Sequence, residues 1–222
     1  MRSGMATQME NAFPVSFRSI QLQTVFRVED SKGGDKIYRF EPELRWGLVR
    51  RGYVSLQPRF EFQHGSRRDS GNLRAQGFYN FIDETRVLPA TALVVGTTLP
   101  TGNDSSGVDA LIRGILTKSA GPAQFNVNAE LSKIGAAQPT ERDFRYRIGI
   151  GADVGGVTLF RSGLFVEQAE MRSTTPLWRM QAGIFHNFSP TIAIAVGAEV
   201  GVSRSAPDYQ VILGYQHTFG GF

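Results

Sequence analysis

The sequence predicts an all-β protein: a transmembrane antiparallel up-and-down β-barrel of about twelve strands, with ten and fourteen as the alternatives. Three observations carry this. Apolar and polar residues alternate with a period of two over long stretches, as in strands that have one greasy and one wet face. Turn-forming residues cut the chain of 222 residues into segments joined alternately by tight connections and by longer polar ones. Although 41% of the residues are apolar, Gly, Arg, Glu and Gln break every apolar run well short of the roughly 18 residues a membrane helix needs.

The alternation is sharpest in Tyr38-Arg39-Phe40-Glu41-Pro42-Glu43-Leu44-Arg45-Trp46, where even positions are apolar and odd positions charged apart from proline. It continues with Val54, Leu56, Pro58, Phe60 and Phe62 against Ser55, Gln57, Arg59, Glu61 and Gln63. A third segment sets Ala123, Phe125, Val127, Ala129 and Leu131 against Gln124, Asn126, Asn128, Glu130 and Ser132. Looser versions place Arg74 and Gln76, Asp109 and Arg113, Arg145 and Arg147, and Arg179 and Gln181 opposite an apolar row. Segments 86–99 and 155–171 have no clear polar face. Division at turn residues gives strands over 13–29, 36–49, 52–64, 71–82, 86–99, 107–118, 122–133, 142–153, 156–171, 175–187, 190–204 and 207–219. Tight connections fall at Arg50-Arg51-Gly52, Asp83-Glu84-Thr85, Ser119-Ala120-Gly121, Val154-Gly155 and Phe188-Ser189, and an even strand number puts both termini at that end, which in outer-membrane barrels is periplasmic. Residues 1–12 read as a separate segment, disordered or periplasmic, and 13–222 as a single barrel domain.

The dimensions suit a membrane. A strand of about 11 residues, rising about 3.3 Å per residue and tilted about 40°, spans about 28 Å, enough for an apolar band of about 25 Å. Tyr38, Trp46, Phe62, Tyr79, Phe144, Trp178, Tyr209 and Phe219 sit near strand ends on the apolar side, where interfacial girdles belong. A soluble ligand-binding barrel is the competing reading. It would leave outside a face rich in Arg and poor in Lys, unlike ordinary soluble surfaces.

The formal net charge of +4 invites a nucleic-acid partner, but the pattern argues against one. Of 24 basic residues only Lys32, Lys36, Lys118 and Lys133 are lysine, and within the alternating segments the arginines stand singly, interleaved with glutamates. In the barrel register Arg39, Glu41, Glu43, Arg45, Arg59, Glu61, Arg74, Arg113, Asn128, Glu130, Arg145, Arg147, Arg161, Glu167, Arg179 and Glu199 line the lumen. Such a wall can select anions as an eyelet of fixed positive charge, or its Arg and Glu can pair across strands and fill the interior. The tight turn after β-segment 36–49 allows Arg39 to meet Glu61 and Glu41 to meet Arg59. A twelve-stranded barrel is narrow, which favours the pairing reading.

Catalytic signals are thin, and no enzyme, cofactor or metal is expected. His64, His186 and His217 are far apart, without the spacing of a zinc site, and there is no Cys. Gly149-Ile150-Gly151-Ala152-Asp153-Val154-Gly155 misses the dinucleotide fingerprint and does not open a helix. A hydrolase could be assembled from rim residues such as His64, Asp69 and Asp104, the weakest of these readings. The opening Met1-Arg2-Ser3-Gly4-Met5 has no apolar core of a secretory signal.

Three stretches carry a resemblance: Leu44-Arg45-Trp46-Gly47-Leu48; Val94-Val95-Gly96-Thr97-Thr98-Leu99-Pro100-Thr101-Gly102 with Gly107-Val108-Asp109 beyond a polar loop; and Ala206-Pro207-Asp208-Tyr209 running through Leu213-Gly214-Tyr215 to Phe219. In this order, over residues 36–222, the chain resembles the outer-membrane family of the MetA pathway of phenol degradation, often called transporter-like. The last strand is also similar to the C-terminal assembly signal of bacterial outer-membrane proteins, departing from it in His217 and in Gly220-Gly221-Phe222 beyond Phe219. The resemblance implies passage of small, often apolar or aromatic molecules across the outer membrane. The expectation is therefore a Gram-negative outer-membrane, porin-like channel or passive transporter with an Arg/Glu-lined lumen, or else a non-conducting structural or assembly barrel with a salt-bridged interior. The expected partners are the lipid bilayer, the outer-membrane assembly machinery and a small apolar or anionic solute, with no nucleic acid.

Overall fold

Where one face of a strand is apolar and the other polar, neighbouring strands must share the same inside and outside, and twelve of them in succession can close on themselves. The computed structural model, described here over residues 5–30, 36–63, 70–103 and 106–220, shows that closure. The strands are β1 (Ile20–Asp30), β2 (Lys36–Val49), β3 (Gly52–Gln63), β4 (Asn72–Ile82), β5 (Ala90–Leu99) and β6 (Asp109–Ala120). They continue as β7 (Ala123–Lys133), β8 (Phe144–Gly155), β9 (Thr158–Glu167), β10 (Leu177–Asn187), β11 (Ile192–Gly201) and β12 (Tyr209–Phe219). Each pairs antiparallel with its sequence neighbours, and β1 pairs with β12 from Ile20↔Phe219 to Asp30↔Tyr209, leaving no free edge.

Connections alternate in size around the barrel. At one end lie 50–51, 83–89, 121–122, 156–157 and 188–191, together with the start of β1 and the end of β12; apart from 83–89 these are shorter than the connections at the other end. The second of these is longer than the tight turn expected at 83–85, and β5 begins at Ala90 rather than at 86. Pro89 cannot donate to a ladder, and Thr85 and Leu88 close a turn of their own through Thr85 N–H to the Leu88 carbonyl at 3.0 Å. This connection is pinned to β6 by Glu84, whose carboxylate accepts from the Ser119 amide at 2.6 Å and the Ser119 hydroxyl at 2.9 Å, with Lys118 Nζ at 3.6 Å. What burial there is would raise the Glu84 pKa, but the Ser119 donors and Lys118 outweigh it and hold it below its ordinary value. A carboxylate with a depressed folded pKa stabilises above its ordinary range and loses that contribution as pH falls through the folded value. Amide exchange in 84–88 should accordingly speed up on acidification below the usual glutamate range, and the acid-induced change should vanish in Glu84→Gln.

Two ladders shift register near the short-turn end, β2–β3 between Trp46 and Val49 and β4–β5 between Asn80 and Ile82, and β2–β3 also has a gap. The β2–β3 ladder passes from Phe40↔Phe60 to Leu44↔Leu56, and between them Pro42 and Pro58 face each other, neither with an N–H to offer.

The largest difference from expectation is at the N-terminus. A strand over 13–29 is expected from the sequence; β1 starts at Ile20, residues 5–15 leave the wall and lie inside the barrel, and 16–19 form the turn between them. Met5, Ala6, Met9, Ala12 and Val15 are all buried. The turn that redirects the chain is made by Ser16, whose carbonyl accepts from Ser19 N–H and Oγ, and by Arg18, which holds a left-handed φ of 65°. Gly47 of β2 faces this turn so closely that a Cβ would overlap the Ser16 carbonyl oxygen. Residues 1–4 lie outside the described residues.

Candidate functional site: the lumen and the segment that crosses it

The wall alternates cleanly. Tyr38, Trp46, Phe62, Tyr79, Phe144, Trp178, Tyr209 and Phe219 all point outward and are exposed, Trp46, Tyr79 and Phe219 towards the short-turn end and the others towards the long-loop end. The charged residues on the opposite face form a lattice. Arg39 bonds Glu61 across β2 and β3 at 2.9 Å and Glu29 at 3.0 Å. Arg59 takes Glu61 at 2.8 Å, with Glu41 at 3.9 Å, while Glu41 is held by Arg27 at 2.8 Å. Arg179 gathers Glu199 at 2.8 Å, Glu167 at 2.9 Å and Glu29 at 3.5 Å; Arg147 reaches the same Glu167 at 2.5 Å. Arg145 meets Glu170 at the rim, at 3.2 Å. Deeper in, Arg161 makes two parallel bonds to Asp153, both 2.9 Å, with no exposure of the guanidinium. Arg74 is the exception: among the described residues no carboxylate lies within 4.0 Å of it, although Glu130, Arg59, Arg113 and Glu41 are in electrostatic range.

Residues 5–15 cross this lumen and bond to both sides of it. Near the short-turn end the Ala12 amide donates to Thr117 Oγ1 at 2.8 Å, and Asn80 Nδ2 donates to the Ala12 carbonyl at 2.7 Å. One residue pair higher, Asn128 grips the Glu10 backbone at both ends, accepting from its N–H at 2.9 Å and donating to its carbonyl at 2.8 Å. The Glu10 carboxylate spans two wall arginines, Arg113 at 2.7 Å and Arg45 at 3.5 Å, which also hold Glu130 (2.5 Å) and Glu43 (2.8 Å) respectively. On the far wall the Gln8 amide N–H donates to Gln181 Oε1 at 2.7 Å, and Gln8 Nε2 donates to Glu199 at 3.0 Å.

Apolar contacts complete the seat. Ala12 and Val15 pack into a cluster with Tyr53, Phe78, Ala90, Ala92, Val94 and Ile115, and Met5 and Ala6 into one with Val25, Leu159, Phe185, Ala193, Ala195 and Ile212. These inward apolar side chains would face an open lumen if the segment were absent. At Gly183, Gly197 and Gly214 the wall carries no side chain; the Ala6 backbone lies directly against the first two and the Met5 side chain against the third. Between the segment and the wall remains a cavity of only about 20 Å³, room for a single water-sized molecule, bordered by Met9, Arg113, Asn128, Glu130, Arg147 and Phe165.

The partners that cross-link the arginines and glutamates read from the sequence include residues the alternation did not single out: Glu10, Gln8, Arg27, Glu29 and Asp153. The available signal was the blurred polar face of 86–99 and 155–171, whose inward apolar residues meet the segment. His64, Asp69 and Asp104, the rim residues considered for hydrolysis, lie outside the described residues.

No family model matches the chain, and no curated protein matches it in sequence. Its fold is nonetheless shared with solved structures. An outer membrane channel from Pseudomonas putida F1 superposes with a TM-score of 0.70 over 94% of this chain and 98% of its own, at 12% identity. The NanC porin does so with 0.64 over 89% and 98% at 10% identity, and the KdgM porin with 0.60 over 90% and 99% at 9%. The chain therefore has the closed, twelve-stranded antiparallel fold of outer-membrane barrels, with a lumen that its own N-terminal segment crosses.

Proposed function

We propose that the protein is an outer-membrane channel or passive transporter for small molecules, of the kind resembled by the MetA-pathway family, closed at rest by residues 5–15. The observation that carries the reading is the way the segment is held. It contributes no strand to the wall, and its polar ties are made to side chains only: hydrogen bonds with Thr117, Asn80, Asn128, Gln181 and Glu199 and ion pairs with Arg113 and Arg45. Such a segment can leave without breaking the barrel, whose ladder closes independently of it. The exposed apolar outer face and the aromatic residues at both ends support insertion in a bilayer, with the short turns and both termini periplasmic and the long loops outside. In that setting the bilayer and the assembly machinery that reads the last strand are the partners, and no catalytic role is assigned.

The ion-pair lattice favours a second reading, a filled barrel that conducts nothing. Single-channel recording in planar bilayers separates the two. The full chain should give small or brief currents, and a chain lacking residues 2–15 should give steady steps severalfold larger. Silence from both, with insertion shown independently, would leave the filled barrel standing and remove the channel.

A further inference from the structure

Glu10 sits in its clamp as a ligand sits in a site. Its carboxylate is supplied by a segment outside the wall, lies between two guanidiniums, and is flanked by an amide that reads its backbone. The clamp is not fully satisfied by it. Arg45 is over nine-tenths buried, yet its contact to Glu10 is a long 3.5 Å and its Nε finds no acceptor among the described residues. Arg74, within electrostatic range of Arg113 and Glu130, adds a guanidinium with no carboxylate of its own among the described residues. The strand residues that face inward carry one more arginine than acidic side chains, and Glu10 cancels that surplus. When the segment leaves, an anion must take its place or the wall retains uncompensated positive charge in a narrow lumen. Phe165 of the wall adds a second requirement, because its ring lies 5.6 Å from the Arg147 guanidinium and gives the place vacated by the segment an apolar side next to Arg147 and Arg113.

We infer that the Glu10 clamp is a carboxylate-binding site, and that a small solute joining a carboxylate to an apolar body, of the benzoate type, takes Glu10's place at Arg113 and Arg45 and releases residues 5–15. The inference rests on the reading of this segment as the closure. A ligand shifts such an equilibrium by its differential affinity for the two states. The released state offers the arginines and the closed state does not, so the solute opens its own path.

The chain contains no Cys, so a single introduced thiol reports on the segment alone. Thr7 is buried and its hydroxyl has no hydrogen-bond partner among the described residues, which makes Thr7→Cys a mild replacement. The measurement is the rate of maleimide alkylation of Thr7→Cys in the full chain, refolded in micelles, with sodium benzoate, benzyl alcohol or sodium chloride at matched ionic strength. Benzoate should raise the rate saturably by about tenfold, a shift of about 1.4 kcal/mol, and benzyl alcohol and chloride should not. Glu10→Gln should raise the rate before any addition, and Arg74→Gln should weaken the benzoate response. If Glu10→Gln accelerates alkylation but benzoate does no more than chloride, the carboxylate site is overturned and the closure stands. If the thiol of the parent reacts as fast as in denaturant before any addition, the segment is not seated and the closure reading falls with the site.

Discussion

Valine at position 197 is expected to evict the N-terminal segment and raise the conductance of the full-length barrel severalfold. Gly197 faces inward from β11, and the Ala6 backbone rests on it: a Cβ there would overlap the Ala6 carbonyl oxygen and stand 2.9 Å from its carbon. The neighbouring wall offers no slack, because Gly183 and Gly214 are in contact with the same stretch, with Ala6 oxygen 2.8 Å and Met5 Cβ 2.9 Å from a Cβ at those positions. Backbone cannot yield as a flexible side chain does, so the segment must move away. The strand itself gains from the change, since a β-branched residue suits a strand better than glycine. The effect should therefore appear in the lumen and not in folding yield. Gly114→Val is the matched control, because a Cβ there meets nothing within 4 Å; its currents should equal those of the parent. Equal currents from Gly197→Val and the parent would mean that residues 5–9 do not seal the lumen.

Why the wall was legible and the segment was not follows from where each gets its order. In 38–46, 54–62 and 123–132 the charged row and the apolar row are both local in sequence, so period two alone assigns inside and outside. Register followed too, because a tight turn at 50–51 leaves little choice but Arg39↔Glu61. Residues 5–15 have no period. Their position depends on contacts more than a hundred residues away, such as Ala12 with Thr117 and Gln8 with Glu199. The same contacts explain the segments that alternation could not assign. Ala90, Ala92 and Val94 of β5 and Leu159 and Phe165 of β9 face inward and are apolar because the lumen beside them holds protein, not water. An inward row that stops being polar was the trace of the segment in the wall, and it cannot be told from a soluble core without the partner. The unexpected length of 83–89 has a local cause instead, the Thr85–Leu88 turn ahead of Pro89.

Asp153→Ala is expected to be the costliest single change in the wall, at about 3–5 kcal/mol. Asp153 and Arg161 are register partners on β8 and β9, joined by two bonds of 2.9 Å, and the Asp153 side chain is 3% and the Arg161 side chain 0% exposed. Removing the carboxylate takes both of these charge-assisted bonds from a guanidinium that has no exposure to water. Ion pairs at the rim behave differently. Asp143 and Arg172 meet at 2.6 Å but are more than half exposed, so Asp143→Ala should cost no more than about 1 kcal/mol. Denaturant unfolding in lipid vesicles, followed by tryptophan fluorescence, measures both. The decisive comparison is the double replacement Asp153→Leu with Arg161→Met. If the cost of Asp153→Ala comes from the buried guanidinium's two lost bonds, the double variant should recover most of it, since an apolar pair of similar volume owes no desolvation. If the double variant is as unstable as Asp153→Ala, the pair is instead fixing strand register between β8 and β9. The change should then also disturb Gly155↔Leu159, the last pair before the 156–157 turn.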